Sequence, residues 1–96
     1  MIIGVGCDLV EIKRIEKACE KEAFLNKVYT KKELEMSGGR FVMLADNFAV
    51  KEALSKALGT GIRNFVFKDI EVLRDEFGKP YVNLYENALN IKEKLY

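Results

Sequence analysis

The sequence predicts an α+β fold, with a small antiparallel-type sheet packed against one long helix in a single domain spanning residues 1–96. Three observations carry this. Phe41 to Leu58 runs without Gly or Pro and places apolar residues at helical spacing. Phe65 to Leu73 and the run from Lys79 are strand-like and are separated by the turn residues Asp75 to Gly78. A chain of 96 residues buries only about 60–65% of its unfolded surface, so it holds one core.

In chain order, Ile2 to Cys7 is apolar, and Gly4 and Gly6 mark a buried strand that another backbone or a ligand can approach. Glu11 to Glu22 has helical spacing with Ile12, Ile15 and Cys19 on one face, and Phe24, Leu25 and Val28 continue it. Thr30 followed by Glu33 fits a capping box that starts a short helix near Lys31, and Gly38 and Gly39 break it. Gly59 stands where a C′ glycine would stop the long helix. The alternation of the next strand slips at Lys68-Asp69, which predicts a bulge. Lys79-Pro80-Tyr81-Val82 returns antiparallel to it, and Leu84, Ala88, Ile91 and Leu95 form an apolar stripe on a last helix. That helix ends at Leu95-Tyr96 without a glycine stop, and three strands leave an open sheet edge. The residues admit two readings here: a chain cut short, or a terminal helix that frays against the core.

Composition narrows the chemistry. Lys and Arg number 16 against 15 Asp and Glu, a net charge of +1 that excludes a histone-like polyanion coat and predicts no nucleic-acid partner. No apolar run approaches the roughly 18 residues of a membrane span. Met1 to Asp8 lacks a basic start and reaches a carboxylate early, unlike a signal peptide. Cys7 and Cys19 fit small core residues of a cytoplasmic protein. With no His in the chain, a bound metal would rest on carboxylates, which favours Mg²⁺, Ca²⁺ or Mn²⁺ over zinc.

Asp8 follows a predicted strand, where it is either a ligand or an ordinary cap of the next helix. Glu52 falls on the helical face of Phe41, Leu44, Ala45 and Phe48, where a buried carboxylate needs a partner. Either Lys56, one turn on, pairs with it, or Glu52 and Asp8 converge on one divalent cation. Gly59-Thr60-Gly61 is a C-cap and turn, or a loop that passes close to a ligand, in which case Lys51, Lys56 or Arg63 would neutralise a phosphate. Lys13, Arg14, Lys17 and Lys21 share about a 100° sector of the first helix, as a solvated face or as a dock for an acidic partner.

Three blocks resemble the holo-[acyl-carrier-protein] synthase family, the small bacterial type of 4′-phosphopantetheinyl transferase. Gly4-Val5-Gly6-Cys7-Asp8-Leu9-Val10-Glu11-Ile12-Lys13-Arg14-Ile15 is similar to its opening G-x-G-x-D-(I/L)-x-E-(I/L)-x-R-(I/V). Phe48-Ala49-Val50-Lys51-Glu52-Ala53-Leu54-Ser55-Lys56-Ala57-Leu58-Gly59-Thr60-Gly61-Ile62 is similar to F-A-x-K-E-A-x-x-K-A-x-G-T-G-I. Asp69-Ile70-Glu71-Val72, with Asp75 and Gly78-Lys79-Pro80, is similar to D-I-E-(I/V)-x-x-D-x-x-G-K-P. The blocks occur in order along nearly the whole chain. Asn47 departs from the Arg that usually precedes the second block and that is expected to hold a phosphate of coenzyme A. The family chain also continues into two strands bearing S-(I/V)-(S/T)-H, so the resemblance implies a phosphopantetheinyl transferase-like fold lacking its C-terminal strands.

The resemblance implies Mg²⁺-dependent transfer of 4′-phosphopantetheine from coenzyme A to a serine of apo-acyl carrier protein, releasing adenosine 3′,5′-bisphosphate, in fatty acid biosynthesis. Asp8 and Glu52 would hold the metal. Lys56 would place a charge near the pyrophosphate, and the expected catalytic set is Asp8, Glu52 and Lys56. Lys51, Lys56, Gly59, Thr60 and Gly61 would contact coenzyme A. Arg14, Lys17 and Lys21 would face the acidic carrier protein. Water on the metal, or a carboxylate acting through water, would take the serine proton. Family members are homotrimers with sites between subunits. A non-catalytic fragment that binds carrier protein or nucleotide, or another Mg²⁺-dependent nucleotide-binding enzyme of this fold, is the alternative.

Overall fold

A computed structural model of the chain describes residues 8–57 and 67–85. The expected strand Ile2 to Cys7, the Gly59 stop and the expected helix through Ala88, Ile91 and Leu95 lie outside the described residues.

Helix α1 (Leu9–Ala18) starts at the extended cap Asp8, whose Oδ1 accepts the Glu11 backbone N–H at 2.8 Å. The helix therefore begins two residues before Glu11 and ends well before Glu22. Helix α2 (Glu22–Val28) follows from an extended Lys21, at φ −96° and ψ 118°. The expected continuous helix is thus two, and the apolar phase explains why. At about 100° per residue, an unbroken helix would put Phe24, Leu25 and Val28 opposite Ile12, Ile15 and Cys19. The break at Lys21 turns both sets into one core with Tyr29, Leu44 and Ala45.

Helix α3 (Lys31–Ser37) opens on the expected capping box. Thr30 Oγ1 accepts the Glu33 N–H at 3.2 Å, and Glu33 Oε1 accepts the Thr30 N–H at 3.1 Å. Gly38 ends it at φ 56°, a left-handed conformation that glycine adopts without strain. Arg40 then bonds the free carbonyls of Met36 at 3.1 Å and Ser37 at 2.8 Å.

Helix α4 (Phe41–Ala57) is the long helix expected. It buries Leu44, Asn47, Val50, Lys51, Leu54 and Ser55, while Phe41 is exposed and Glu52 only half-buried. The apolar spacing puts Glu52 on the inward face, and the structure corrects this. The buried arc is instead centred near Lys51, some 100° away.

The expected bulge at Lys68-Asp69 is a single 3₁₀ turn, Phe67–Asp69, which leads straight into β1 (Ile70–Arg74). Strand β2 (Pro80–Leu84) pairs antiparallel with β1, with Val72 opposite Val82 and Arg74 opposite Pro80. Leu84 therefore belongs to the return strand, not to a helix. The Asp75 carboxylate holds the turn by accepting the N–H groups of Phe77 and Lys79, each at 2.9 Å, and Gly78 supplies φ 80°. Pro80 has no N–H and fits the first position of a strand. One face of β1 sets Ile70 and Val72 against Val50 and Leu54 of α4. The other packs on α3, so β1 is buried on both faces. This is the α+β arrangement expected from the sequence.

Candidate active site

The packing of α1 on α4 leaves a pocket of about 500 Å³ lined by Asp8, Glu11, Arg14, Ala49, Glu52, Ala53 and Lys56. Two local patterns make it. Asp8, Glu11 and Arg14 follow one another at three-residue steps at the start of α1, so they share a side. Ala49, Glu52, Ala53 and Lys56 share one side of α4 for the same reason. The alanines keep the wall low. The pocket thus brings together four residues expected in the site, Asp8, Glu52, Lys56 and Arg14.

Asp8 serves as helix cap and pocket carboxylate at once; the N-terminal end of α1 favours its negative charge. Arg14 Nη2 reaches Glu11 Oε2 at 2.6 Å. Among the described residues, Glu52 and Lys56 are not ion-paired with each other. No group of three or more potential metal ligands closes into a cage among the described residues. Asp8 and Glu52 instead present two carboxylates to one open pocket, which is the provision Mg²⁺ needs when waters and phosphate oxygens complete its shell.

Lys51 is a correction. Its side chain is 0% exposed and does not line the pocket. Its Nζ donates to Glu33 Oε1 at 2.6 Å, Val28 O at 2.6 Å and Phe67 O at 3.1 Å, which uses all three N–H bonds. It is a framework cation rather than a residue of the pocket where it was expected to contact coenzyme A. Burial pushes the Glu33 carboxyl up and the Lys51 ammonium down, and each partner opposes the other's shift. Asn47, where the resemblance leads one to expect Arg, is buried beside the pair. Its Nδ2 donates to Glu33 Oε2 and Val72 O, each at 3.2 Å, and its Oδ1 is buried without a partner among the described residues.

Lys17 is exposed in the last turn of α1, but Lys21 lies past the helix end, at the start of α2. The expected four-residue stripe is therefore Lys13, Arg14 and Lys17, with Lys21 beyond it on a different element. Gly59, Thr60 and Gly61 fall outside the described residues. Glu11, Ala49 and Ala53 were not among the expected site residues, although their spacing from Asp8 and Glu52 carried the signal.

Residues 4–96 match the profile of the 4′-phosphopantetheinyl transferase superfamily. The chain belongs to this superfamily. It is 53% identical over 88 residues to a holo-[acyl-carrier-protein] synthase of Lachnoclostridium phytofermentans, covering 92% of this chain and 72% of that one. Among solved structures, it is similar to the Helicobacter pylori holo-[acyl-carrier-protein] synthase in complex with coenzyme A. The TM-score is 0.72 at 32% identity, over 82% of this chain and 71% of the other. It is also similar to the Bacillus anthracis holo-(acyl-carrier-protein) synthase in complex with CoA (3′,5′-ADP). There the TM-score is 0.67 at 39% identity, over 90% of this chain and 78% of the other. The transferase fold expected from the three sequence blocks is the fold found, and the chain is a phosphopantetheinyl transferase.

Proposed function

We propose that the chain transfers 4′-phosphopantetheine from coenzyme A to a serine of apo-acyl carrier protein, with Mg²⁺ held by Asp8 and Glu52 and adenosine 3′,5′-bisphosphate as the other product. The observation that carries this reading is the single pocket shared by Asp8, Glu52, Lys56 and Arg14 in a chain of this family. Its oxygen-only ligands suit a hard cation. When bound, Mg²⁺ would offset charge on the pyrophosphate.

The chain's own residues do the rest. Lys56, an exposed cation at the pocket, approaches the pyrophosphate. The serine oxygen bonds to the phosphorus that bears pantetheine, and the bond from that phosphorus to the bisphosphate oxygen breaks. The serine proton passes through water to a carboxylate of the pocket. Lys17, Arg14 and Lys21 meet acidic side chains of the carrier protein. Gly59, Thr60 and Gly61 border the coenzyme A. We place the chain in the cytoplasm as a homotrimer serving fatty acid biosynthesis; no described helix is long and apolar enough to cross a membrane.

The test is the mass of apo-acyl carrier protein incubated with coenzyme A, Mg²⁺ and the enzyme. Wild type should add one phosphopantetheine group, and chelation of the metal should stop it. Undiminished rates in both Asp8→Ala and Glu52→Ala would refute the site assignment.

A further inference from the structure

We infer that Lys51 is a positioning residue for Glu52, fixing the rotation of α4 so that the Glu52 carboxylate meets Asp8 across the pocket. The inference rests on the reading of Glu52 as a metal ligand.

Lys51 and Glu52 are neighbours on α4, so their side chains leave the axis about 100° apart. Lys51 stands near the centre of the buried arc, and Glu52 at the edge where that arc gives way to the pocket. A rotation that frees one displaces the other. The Lys51 ammonium is tied to three separate elements: the last residue of α2 through Val28 O, α3 through Glu33, and the 3₁₀ turn through Phe67 O. The Tyr29 ring lies beneath it, 5.5 Å from the ring centroid.

Apolar packing alone would not hold α4 this way. Hydrophobic contact is non-directional, so it specifies the rotation of a helix less sharply than directed bonds do. Three directed bonds from one ammonium cannot all survive a rotation or a slide of the helix. A buried ion pair is also a poor stabiliser compared with apolar residues of the same size. Its service here is geometric. Metal and phosphate chemistry tolerates only about 0.5 Å of misplacement.

The experiment measures Mn²⁺ binding by electron paramagnetic resonance on four proteins: wild type, Glu52→Ala, Glu33→Gln, and the double variant Lys51→Met/Glu33→Gln. The double variant removes both charges together, so it leaves no uncompensated ion, and the Glu33→Gln change keeps a side-chain acceptor for the Thr30 N–H. Near-ultraviolet circular dichroism and melting check its fold. The expected result is a folded double variant whose Mn²⁺ affinity falls about 10- to 100-fold, the usual effect of losing the support behind a ligand. Glu33→Gln, which removes the counter-charge but leaves Lys51 its bonds to Val28 O and Phe67 O, should lose several-fold, and it decides the matter should the double variant not fold. A folded variant with wild-type Mn²⁺ affinity, while Glu52→Ala loses it, overturns the positioning role and leaves the metal reading standing. Wild-type affinity in Glu52→Ala overturns both.

Discussion

Replacing Lys51 with Met while Glu33 remains is the most severe single change the structure identifies. The new side chain matches the old in length but cannot donate. Glu33, itself 0% exposed, keeps the Thr30 and Val72 backbone N–H groups and the Asn47 amide as donors but loses its counter-charge. Val28 O, an end carbonyl of α2, loses the cation that closed it, and Phe67 O loses a donor as well. Each orphaned buried carbonyl costs about 1–3 kcal/mol. Removing one partner of a buried pair costs about 3–5 kcal/mol in all. A domain of this size is stable by about 5–15 kcal/mol, so the variant should stand near the edge of folding. The loss should also depend on pH. Burial already raises the Glu33 carboxyl above its ordinary value of 4.5, and Lys51 supplies the main opposition. Without Lys51 the folded-state value climbs further. A carboxyl with a raised folded value binds its proton more tightly when folded, so stability falls as pH rises from 4.5 through that higher value. The deficit of Lys51→Met should therefore be largest at neutral pH and shrink near 4.5. Urea unfolding of both proteins at the two pH values measures this. A deficit below about 1 kcal/mol at neutral pH, or one that does not shrink on acidification, would refute the reasoning.

Asp8→Asn should keep the cap of α1, since Asn caps as well as Asp, yet lose Mn²⁺ binding and transfer; Asp8→Ala should lose both and cost about 1 kcal/mol in urea unfolding. Reversing Lys17 and Lys21 to Glu should raise KM for carrier protein with little change in kcat. Wild-type carrier affinity should weaken with salt, which titration calorimetry at two ionic strengths would show. Thr30→Val removes the cap of α3 and a 2.6 Å bond to Glu71, for an expected loss of about 1–2 kcal/mol by thermal melting. Burial alone would raise the Glu71 carboxyl, but hydrogen bonds from Thr30, Tyr85 and Asn83 outweigh it and hold it below 4.5. Its contribution is therefore present above 4.5 and lost as pH falls through the lower folded value, and Thr30→Val should flatten that acid loss.

What could be read from the sequence was local. The Thr30–Glu33 box is complete within four residues, and the Asp75 to Gly78 turn carries its own chemistry, so both stand as expected. The break at Lys21 was written in the phase of the apolar residues but carries no Gly or Pro to mark it. Helix α4 was legible as a helix and illegible in orientation. Apolar residues occur around much of its circumference, and the arc that faces inward depends on Glu33, 18 positions away. That is why apolar spacing sets Glu52 too deep and Lys51 too near the ligand. Asp8 and Glu52 could be joined from the sequence only through the family blocks, because no spacing rule spans α2 and α3.

Asp8 starts the same helix that displays Arg14 and Lys17, and this makes α1 a ruler. A helix rises about 1.5 Å per residue, so Lys17 stands about 14 Å along the axis from the carboxylate that faces the pocket. On the proposed reading, a carrier protein gripped at Lys17 would have to present its acceptor serine at that reach. Adding or removing one helical residue between Arg14 and Lys17 would turn the grip by about 100° as well as move it. On that reading the length of α1 would measure its partner before any chemistry begins.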